Sequence, residues 1–434
     1  MVCIALCLAA FALDTANVSM VFDRSESGAW RLPYVGLRLS APEDAIALEG
    51  RPGRWHGDTV HPSYGVYGAP LANMDVDKFG GLAVRHADGS LVSDLAAVGS
   101  EPKEVSDEEG VRHLVLPMKD RRMPLFVDQH FRADVATDVV ETWVEIRHEE
   151  STPVELLRMD SFAWSMPRVA RDYTLHSLSS WWGCEGQLES APLKKSQALT
   201  INSRNGVRGA WDANPAFMLA LDEATEDSGR VFAGVLAWSG AWRMNFRRDW
   251  GDIVEIRAGA DNGNGAYRLE PGRVLKTPVF AFTYTEKGRG QVSRNFHRWA
   301  RTRWLPHRTQ LREVLLNSWE GSYLAFTEKT LTDMMDGVAE MGGEMFVVDD
   351  GWFGEGAIAR DHNAGDESKE GVCDSALGDW IVNRRKLPRG LEYLTAEAAR
   401  RGLKFGIWVE PEMVNVGKSD LHKRLPESPL QVKG

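Results

Sequence analysis

The residues best suited to chemistry lie at the ends of three apolar runs. Met345, Phe346, Val347 and Val348 are followed at once by two carboxylates, Asp349 and Asp350, then by Gly351 and the ring pair Trp352-Phe353. An earlier run, 313–319, ends in Asn317, Trp319 and Glu320; a later one, 403–412, ends in Trp408, Glu410 and Glu412. Carboxylates accept hydrogen bonds from ligand hydroxyls, and indole faces pack on the apolar face of a sugar ring. Acids and tryptophans gathered from three strand ends therefore suit a carbohydrate, and their convergence is a stronger signal than any one run.

Each residue also has a plainer use. Asp349 and Asp350 can cap the turn that follows and bind only water. They can also hold a divalent cation with Asp361 or His362, although that loop lacks regular ligand spacing. Trp319 and Trp408 can be rim packing. Glu410 and Glu412 flank Pro411, where the strand is expected to end, so at most one of them should face a ligand. The isolated histidines His113, His176 and His297 read as structural.

The elements that must position these groups follow from periodicity. From about residue 14 to 290 the chain reads as all-β, with alternating segments at 18–22, 113–118, 139–148, 231–240, 252–259 and 277–285. Turn clusters such as Asp88-Gly89-Ser90 and Asn262-Gly263-Asn264-Gly265 separate them, which predicts a large β-sandwich. At 291–305 the period becomes helical, with Val292, Phe296, Trp299 and Trp304 near one stripe, and Pro306 closes this connecting helix. Beyond it the order is β-α-β-α-β. Strands are expected at 313–319, 344–349 and 403–412. A helix at 330–341 carries Leu331, Met334, Val338 and Met341 inward and is closed by Gly342-Gly343; a second at 390–401 carries Leu391, Leu394 and Ala398 inward. Strands alternating with helices imply a parallel sheet, the opening of a (β/α)8 TIM barrel, whose active sites lie at the carboxyl ends of the strands. A full barrel takes about 250 residues, whereas 434 minus 311 leaves 123 from Arg312 to Gly434, room for about three units. The expected organisation is 1–290 sandwich, 291–311 connecting helix and 312–434 partial barrel.

Composition narrows the classes. A formal charge of −11 disfavours a nucleic-acid partner, whose phosphates call for clustered Lys and Arg. No run reaches the roughly 20 apolar residues of a membrane span, and no basic helix suggests surface attachment. The four cysteines, Cys3, Cys7, Cys184 and Cys373, form neither a metal-type pair nor a disulfide framework. Sixteen tryptophans against eight tyrosines are first of all core filler, some of them serving as ligand platforms. Val2 to Leu13 reads either as a signal peptide with Ala10-Phe11-Ala12 at its cleavage site or as the first strand; the compartment is periplasmic or secreted in the first case and cytoplasmic in the second.

Four motifs then carry a resemblance: NSWEGSYLAFTE (317–328), FVVDDGWFG (346–354), LGDWIVNRRKLPRGLEYL (377–394) and GLKFGIWVEPEMVN (402–415). In order and spacing they resemble the α-galactosidases of glycoside hydrolase family 36. Residues 11–36 and 181–243 resemble, more weakly, that family's N-terminal β-supersandwich. The resemblance implies a multidomain β plus α/β fold, retaining hydrolysis of terminal α-D-galactosides in oligosaccharides through a covalent galactosyl-enzyme, no cofactor or metal, and a parent enzyme that can be a homotetramer. It implies that Asp349 and Asp350 bind galactose hydroxyls, that Trp319 and Trp408 wall the ring, and that Trp380 stands near the same mouth. The family's nucleophile lies in a Lys-Trp-Asp-x-Asn motif and its acid/base Asp further on. Neither segment occurs in these 434 residues, so the resemblance implies that both catalytic groups lie beyond Gly434. Leu425-Pro426-Glu427-Ser428 departs from the family's His-Pro-Asp/Glu-Trp turn, and 361–375 reads as an insert. The chain as given is therefore expected to be inactive and its C-terminal third poorly soluble alone. Same-scaffold alternatives are an α-N-acetylgalactosaminidase, a galactosyl-transferring enzyme and a non-catalytic carbohydrate-binding protein.

Overall fold

The computed structural model describes residues 10–24, 28–48, 81–91, 94–105, 109–166, 168–206, 208–249, 252–354, 377–415 and 419–424. Cys3, Cys7, Cys373, Asp361, His362, the 361–375 insert and the 425–428 turn lie outside them. So does Gly434: the partial barrel, expected to run from 312 to Gly434, is described only as far as Arg424. The chain forms two compact units that meet between Arg308 and Thr309, where 311 was expected to close the linker.

The first unit is built from antiparallel sheets, as the alternating segments predict. An 11-stranded sheet runs from Gln187–Pro192 at one edge through Tyr173–Ser180, Asp212–Leu221, Arg230–Ala237, Val279–Thr285, Val139–His148, Leu125–Asp134 and Val111–Asp120. A 6-stranded sheet centres on Trp242–Arg248, Val254–Ala260 and the long strand Val154–Met166. Period-two burial explains why these segments are strands: Leu125, Val127, Phe131 and Ala133 turn inward from one, Trp242, Met244 and Phe246 from another. One core joins the sheets, and its centre is aromatic. Phe162 stacks on Phe280 with ring centroids 4.8 Å apart, and Phe217 meets Phe246 edge-on at 4.6 Å. Among the described residues, Trp30, Trp143, Trp164, Trp242, Trp299 and Trp352 are buried filler, whereas Trp181 and Trp182 stand exposed beside a hairpin.

The N-terminal end of the described chain is a strand, Phe11–Asp14, paired with Val18–Arg24. It is tied down by Asp138, a residue with a left-handed φ of 56°. The Asp138 carboxylate accepts from the Thr15 hydroxyl at 2.8 Å and from the Asn17 backbone and side-chain amides at 2.9 and 2.6 Å. Residues 1–9, which bear on the signal-peptide reading, are outside the described residues.

The connecting helix is Gly288–Trp299, continued by a π turn over Ala300–Trp304. It starts earlier than expected and belongs to the sandwich. Val292 packs on Val231 and Ala233, and Trp299 on Val139 and Ala281. The indole nitrogens of Trp299 and Trp304 both donate to Glu141, at 2.8 and 3.1 Å.

The second unit has three parallel strands in chain order: β1 (Leu315–Asn317), β2 (Met345–Val348) and β3 (Lys404–Ile407). Helix α1 (Glu328–Glu340) links β1 to β2, and α2 (Gly390–Arg400) precedes β3. Thr327 caps α1 by accepting from the Thr330 amide, with Thr330 answering in the place usually taken by Glu or Gln. Gly342, at φ 81°, lets the chain leave the helix. The inward stripe of α1 is Leu331, Met335 and Val338; Met341, expected inward, is exposed because the helix stops at Glu340. Phe346 and Val348 of β2 pack against these residues and against Leu394 and Ala398 of α2. All three strands are shorter than expected. β1 stops at Asn317 because Trp319–Ser322 turns into a helical segment, and β3 stops at Ile407, four residues before Pro411. Among the described residues β1 pairs on one side only, and Leu315 and Leu316 are 50% and 36% exposed.

His130 should make the sandwich sensitive to acid. His130 stacks on Trp143, with centroids 4.7 Å apart, and meets His113 at 3.0 Å. Burial, with help from His113 and Lys276 and against the opposing pull of Glu145, pushes its imidazole down to about 4. Below the ordinary value of about 6.5 the unfolded chain takes up a proton that the folded chain refuses. Stability should therefore fall as pH drops from 6.5 toward 4, by about 1–2 kcal/mol after allowance for screening. Denaturant melts at pH 7 and pH 4.5 should show this loss in the native chain and a smaller one in His130→Phe. Equal losses in both would contradict the assignment.

Candidate sugar-binding site at the strand ends

β2 is the centre of the second unit because both neighbours hydrogen-bond to it, and the chemistry begins where it ends. Asp349 is the first residue after the strand. Its amide donates to the Ser318 hydroxyl at 3.0 Å, and Ser318 donates from its own amide to Val347 at 2.9 Å, so the β1 and β2 exits are fixed to each other. One Asp349 oxygen accepts from the Asn317 side-chain amide at 2.5 Å. The other accepts from the Asp350 backbone amide at 2.7 Å. Asn317 in turn accepts from the Trp319 amide at 2.8 Å. Asp349 is thus half-buried and held on two sides, while a carboxylate has roughly four acceptor directions. It keeps acceptor capacity for a ligand in an orientation its neighbours set.

The aromatic side is built from β2 and β3 together. Trp408 extends the β3 ladder by donating to Val348 at 2.9 Å. The Trp352 indole donates to the Trp408 carbonyl at 2.8 Å, and Trp352 is buried. Trp380 stacks on Trp352 with centroids 6.2 Å apart at 24°, meets Phe353 at 4.8 Å, and lies edge-on to Trp408 at 6.2 Å and 74°. It does so from a left-handed backbone, φ 53°, costly for a bulky residue and common where function holds the chain in place. The loop that carries it is anchored through Asp379, which accepts from the amides of Asp420 and Leu421, both at 2.8 Å.

Of the five residues singled out in the sequence, Trp380 and Trp408 are in ring contact. Asp349 reaches the Trp319 backbone through Asn317, and Asp350 follows Asp349 directly. The Trp319 ring packs edge-on to Tyr323 at 5.3 Å. Glu410 is half-buried and Glu412 exposed, both past the end of β3.

Two supports take roles that the sequence did not assign to them. Asn317 orients the acid, and a polar residue at a strand's carboxyl end was its only signal. Lys386 had no signal at all: it is 1% exposed beneath the site, and its ammonium donates to the carbonyls of Leu324 at 2.7 Å and Gly351 at 3.0 Å, while lying over the Phe326 ring at 5.0 Å. Gly351, at φ 99°, has Leu324, Lys386 and Phe326 close against it, so no side chain fits there without displacing them. A lysine in a stretch containing Arg384 and Arg385 looks like surface charge until the fold turns it inward.

A β-sandwich followed by parallel β-α units, with acids and indoles gathered at the strand ends, is the arrangement of a barrel-type protein with a polar, ring-lined site. Comparisons specify which. A family model described as the glycosyl hydrolase family 36 N-terminal domain matches residues 70–270, and one described as melibiase matches residues 274–434. The chain belongs to glycoside hydrolase family 36. It is 30% identical over 389 residues to the α-galactosidase AgaA of Geobacillus stearothermophilus, covering 86% of this chain and 50% of that protein. It is 27% identical over 445 residues to the α-galactosidase C of Emericella nidulans, covering 96% of this chain and 56% of that protein. The structure superposes with a TM-score of 0.83, at 27% identity, on a variant of AgaA in complex with 1-deoxygalactonojirimycin, covering 97% of this chain and 60% of that one. A second AgaA variant, in complex with raffinose, matches equally well. The chain thus spans about half the length of the curated relatives it matches.

Replacing Lys386 with Met should strip both carbonyls of their charged donor and cost about 3 kcal/mol. The second unit's thermal transition should drop accordingly, with faster amide exchange in the Asp349–Phe353 turn. An unchanged transition would show that the lysine is dispensable there.

Proposed function

We propose that this chain supplies the sandwich and the galactose-holding part of a retaining α-galactosidase acting on terminal α-D-galactosides of oligosaccharides. The observation that carries the reading is the meeting of three strand exits: Asp349 fixed by Asn317, with Trp352, Trp380 and Trp408 joined beside it. The 1-deoxygalactonojirimycin and raffinose named in complexes of AgaA, a relative on the same fold, support a sugar-type ligand.

In this reading Asp349 and Asp350 accept hydrogen bonds from the galactose hydroxyls remote from the anomeric carbon. Trp408 and Trp380 pack on the ring's apolar face and keep water from it, and Trp319 closes the side toward β1. Fixing the ring in one orientation lowers the entropic cost of presenting the anomeric carbon to a nucleophile. The chain's own residues bind and orient. The covalent step needs a carboxylate in a Lys-Trp-Asp-x-Asn segment, which the residues up to Gly434 do not contain. Glu410 and Glu412 take no catalytic role here. The acidic balance and the sugar-type site make an oligosaccharide the partner, rather than nucleic acid or a lipid surface.

The purified chain should show saturable galactose binding and no turnover of an aryl α-galactoside. Asp350→Ala should weaken the binding by at least tenfold without lowering the melting temperature. Measurable turnover would force Glu410 or Glu412 into catalysis, and undiminished binding in Asp350→Ala would move the sugar elsewhere.

A further inference from the structure

The first unit holds a cavity that the strand-end site does not use. It is a partly open space of about 180 Å³. Its walls include Trp164 from the long central strand, Phe232 and Tyr284 from the large sheet, and Tyr34 from the N-terminal hairpin. Two charged side chains, Arg230 and Glu286, complete it. Through Val169 and Arg230 the cavity shares its lining with an open cleft of about 640 Å³ that also takes in Arg171, Asp172 and Asp222. The whole feature lies within the first unit.

Its details are those of a binding site rather than a packing fault. Packing faults are small and apolar, whereas this space is roomy and carries oriented polar groups. Tyr34 folds back over its own strand, its hydroxyl donating to the Leu37 carbonyl at 2.7 Å. That fold needs Gly36, since a side-chain carbon there would come within 2.5 Å of the Tyr34 oxygen. The Trp164 indole is fixed by donating to Leu32 at 2.9 Å. Tyr284 donates to Glu286 at 3.0 Å, and Arg230 donates to Asp222 at 2.5 Å. Burial, and after it the Glu286 carboxylate, raises both phenols, so Tyr34 and Tyr284 stay protonated donors. Glu286 retains acceptor capacity, and Arg230 has five N–H donors, more than its bond to Asp222 uses. Tyr34, the least buried of the four aromatic walls, with one acceptor and one donor group at the edge, matches a molecule that is apolar on its faces and hydroxylated around its rim.

We infer that this cavity is a second carbohydrate site, seating one sugar ring against Tyr34, over a buried floor of Trp164, Phe232 and Tyr284, while the rest of the oligosaccharide lies along the charged cleft. Glu286 accepts from a hydroxyl and Arg230 donates to one. The choice of a sugar as ligand rests on the carbohydrate reading of the chain; the cavity itself does not. Such a site would retain an oligosaccharide on the protein independently of the strand ends.

The test keeps the two sites apart. Raffinose is titrated into the full chain carrying Asp350→Ala, with saturation-transfer NMR and calorimetry as readouts. Saturable binding should persist there. Adding Glu286→Gln should weaken it at least tenfold. Val169→Trp, an exposed position at the neck, should do the same by blocking entry without touching the core. Loss of all binding on Asp350→Ala alone would overturn the second site and leave the strand-end site standing. Binding that survives both Glu286→Gln and Val169→Trp would also overturn it. A chain that loses binding only through Glu286→Gln and Val169→Trp would instead count against the strand-end reading.

Discussion

The pairing of β2 with a parallel neighbour on each side is the constraint from which the strand-end site follows. Parallel pairing sends all three chains out at the same end of the sheet, so the exits of β1, β2 and β3 have to converge. The short bonds across those exits then convert convergence into fixed geometry. Ser318 and Asn317 lock the first exit to Asp349, and Trp352 locks the second to the Trp408 carbonyl. Without the registered ladder, the acids and indoles would be separate surface groups on three loops.

Underneath, the site depends on an unusual support. A loop that turns sharply at Gly351 turns its carbonyl into the interior, where a donor has to meet it. Lys386 meets it with a charge and takes the Leu324 carbonyl as well. Glu328, at the first position of α1, accepts from Arg389 through both its backbone and its guanidinium, at 2.6 and 2.7 Å, which joins the two helices behind the same loops. Rigid helices and a satisfied interior allow the rim to carry residues chosen for a ligand, including Trp380 in a conformation that sequence preference alone would not select.

Much of this was legible in the residues. Short β-type segments such as 139–148 and 252–259, separated by turns, are enough to predict a sandwich, although both strands are buried along most of both faces. The stripe Leu331 and Val338 gives α1, and the apolar run before Asp349 gives β2. The ends of elements were less legible. β3 was expected to run on to about Pro411, where the proline stops it, yet the strand needs a partner and β2 ends at Val348. Lys386 and Asn317 were missed or undervalued for a different reason: their importance comes from carbonyls and carboxylates brought near by the fold, which no local pattern records. The cavity around Trp164 and Tyr34 is of the same kind, since residues more than a hundred positions apart line it.

The most direct check is a crystal structure of this chain with galactose bound. The account predicts sugar density beside Asp349 and Asp350, with the ring's apolar face against Trp408 or Trp380 and the Asn317–Asp349 bond intact. Ordered galactose found only elsewhere, with the strand ends occupied by water alone, would contradict it.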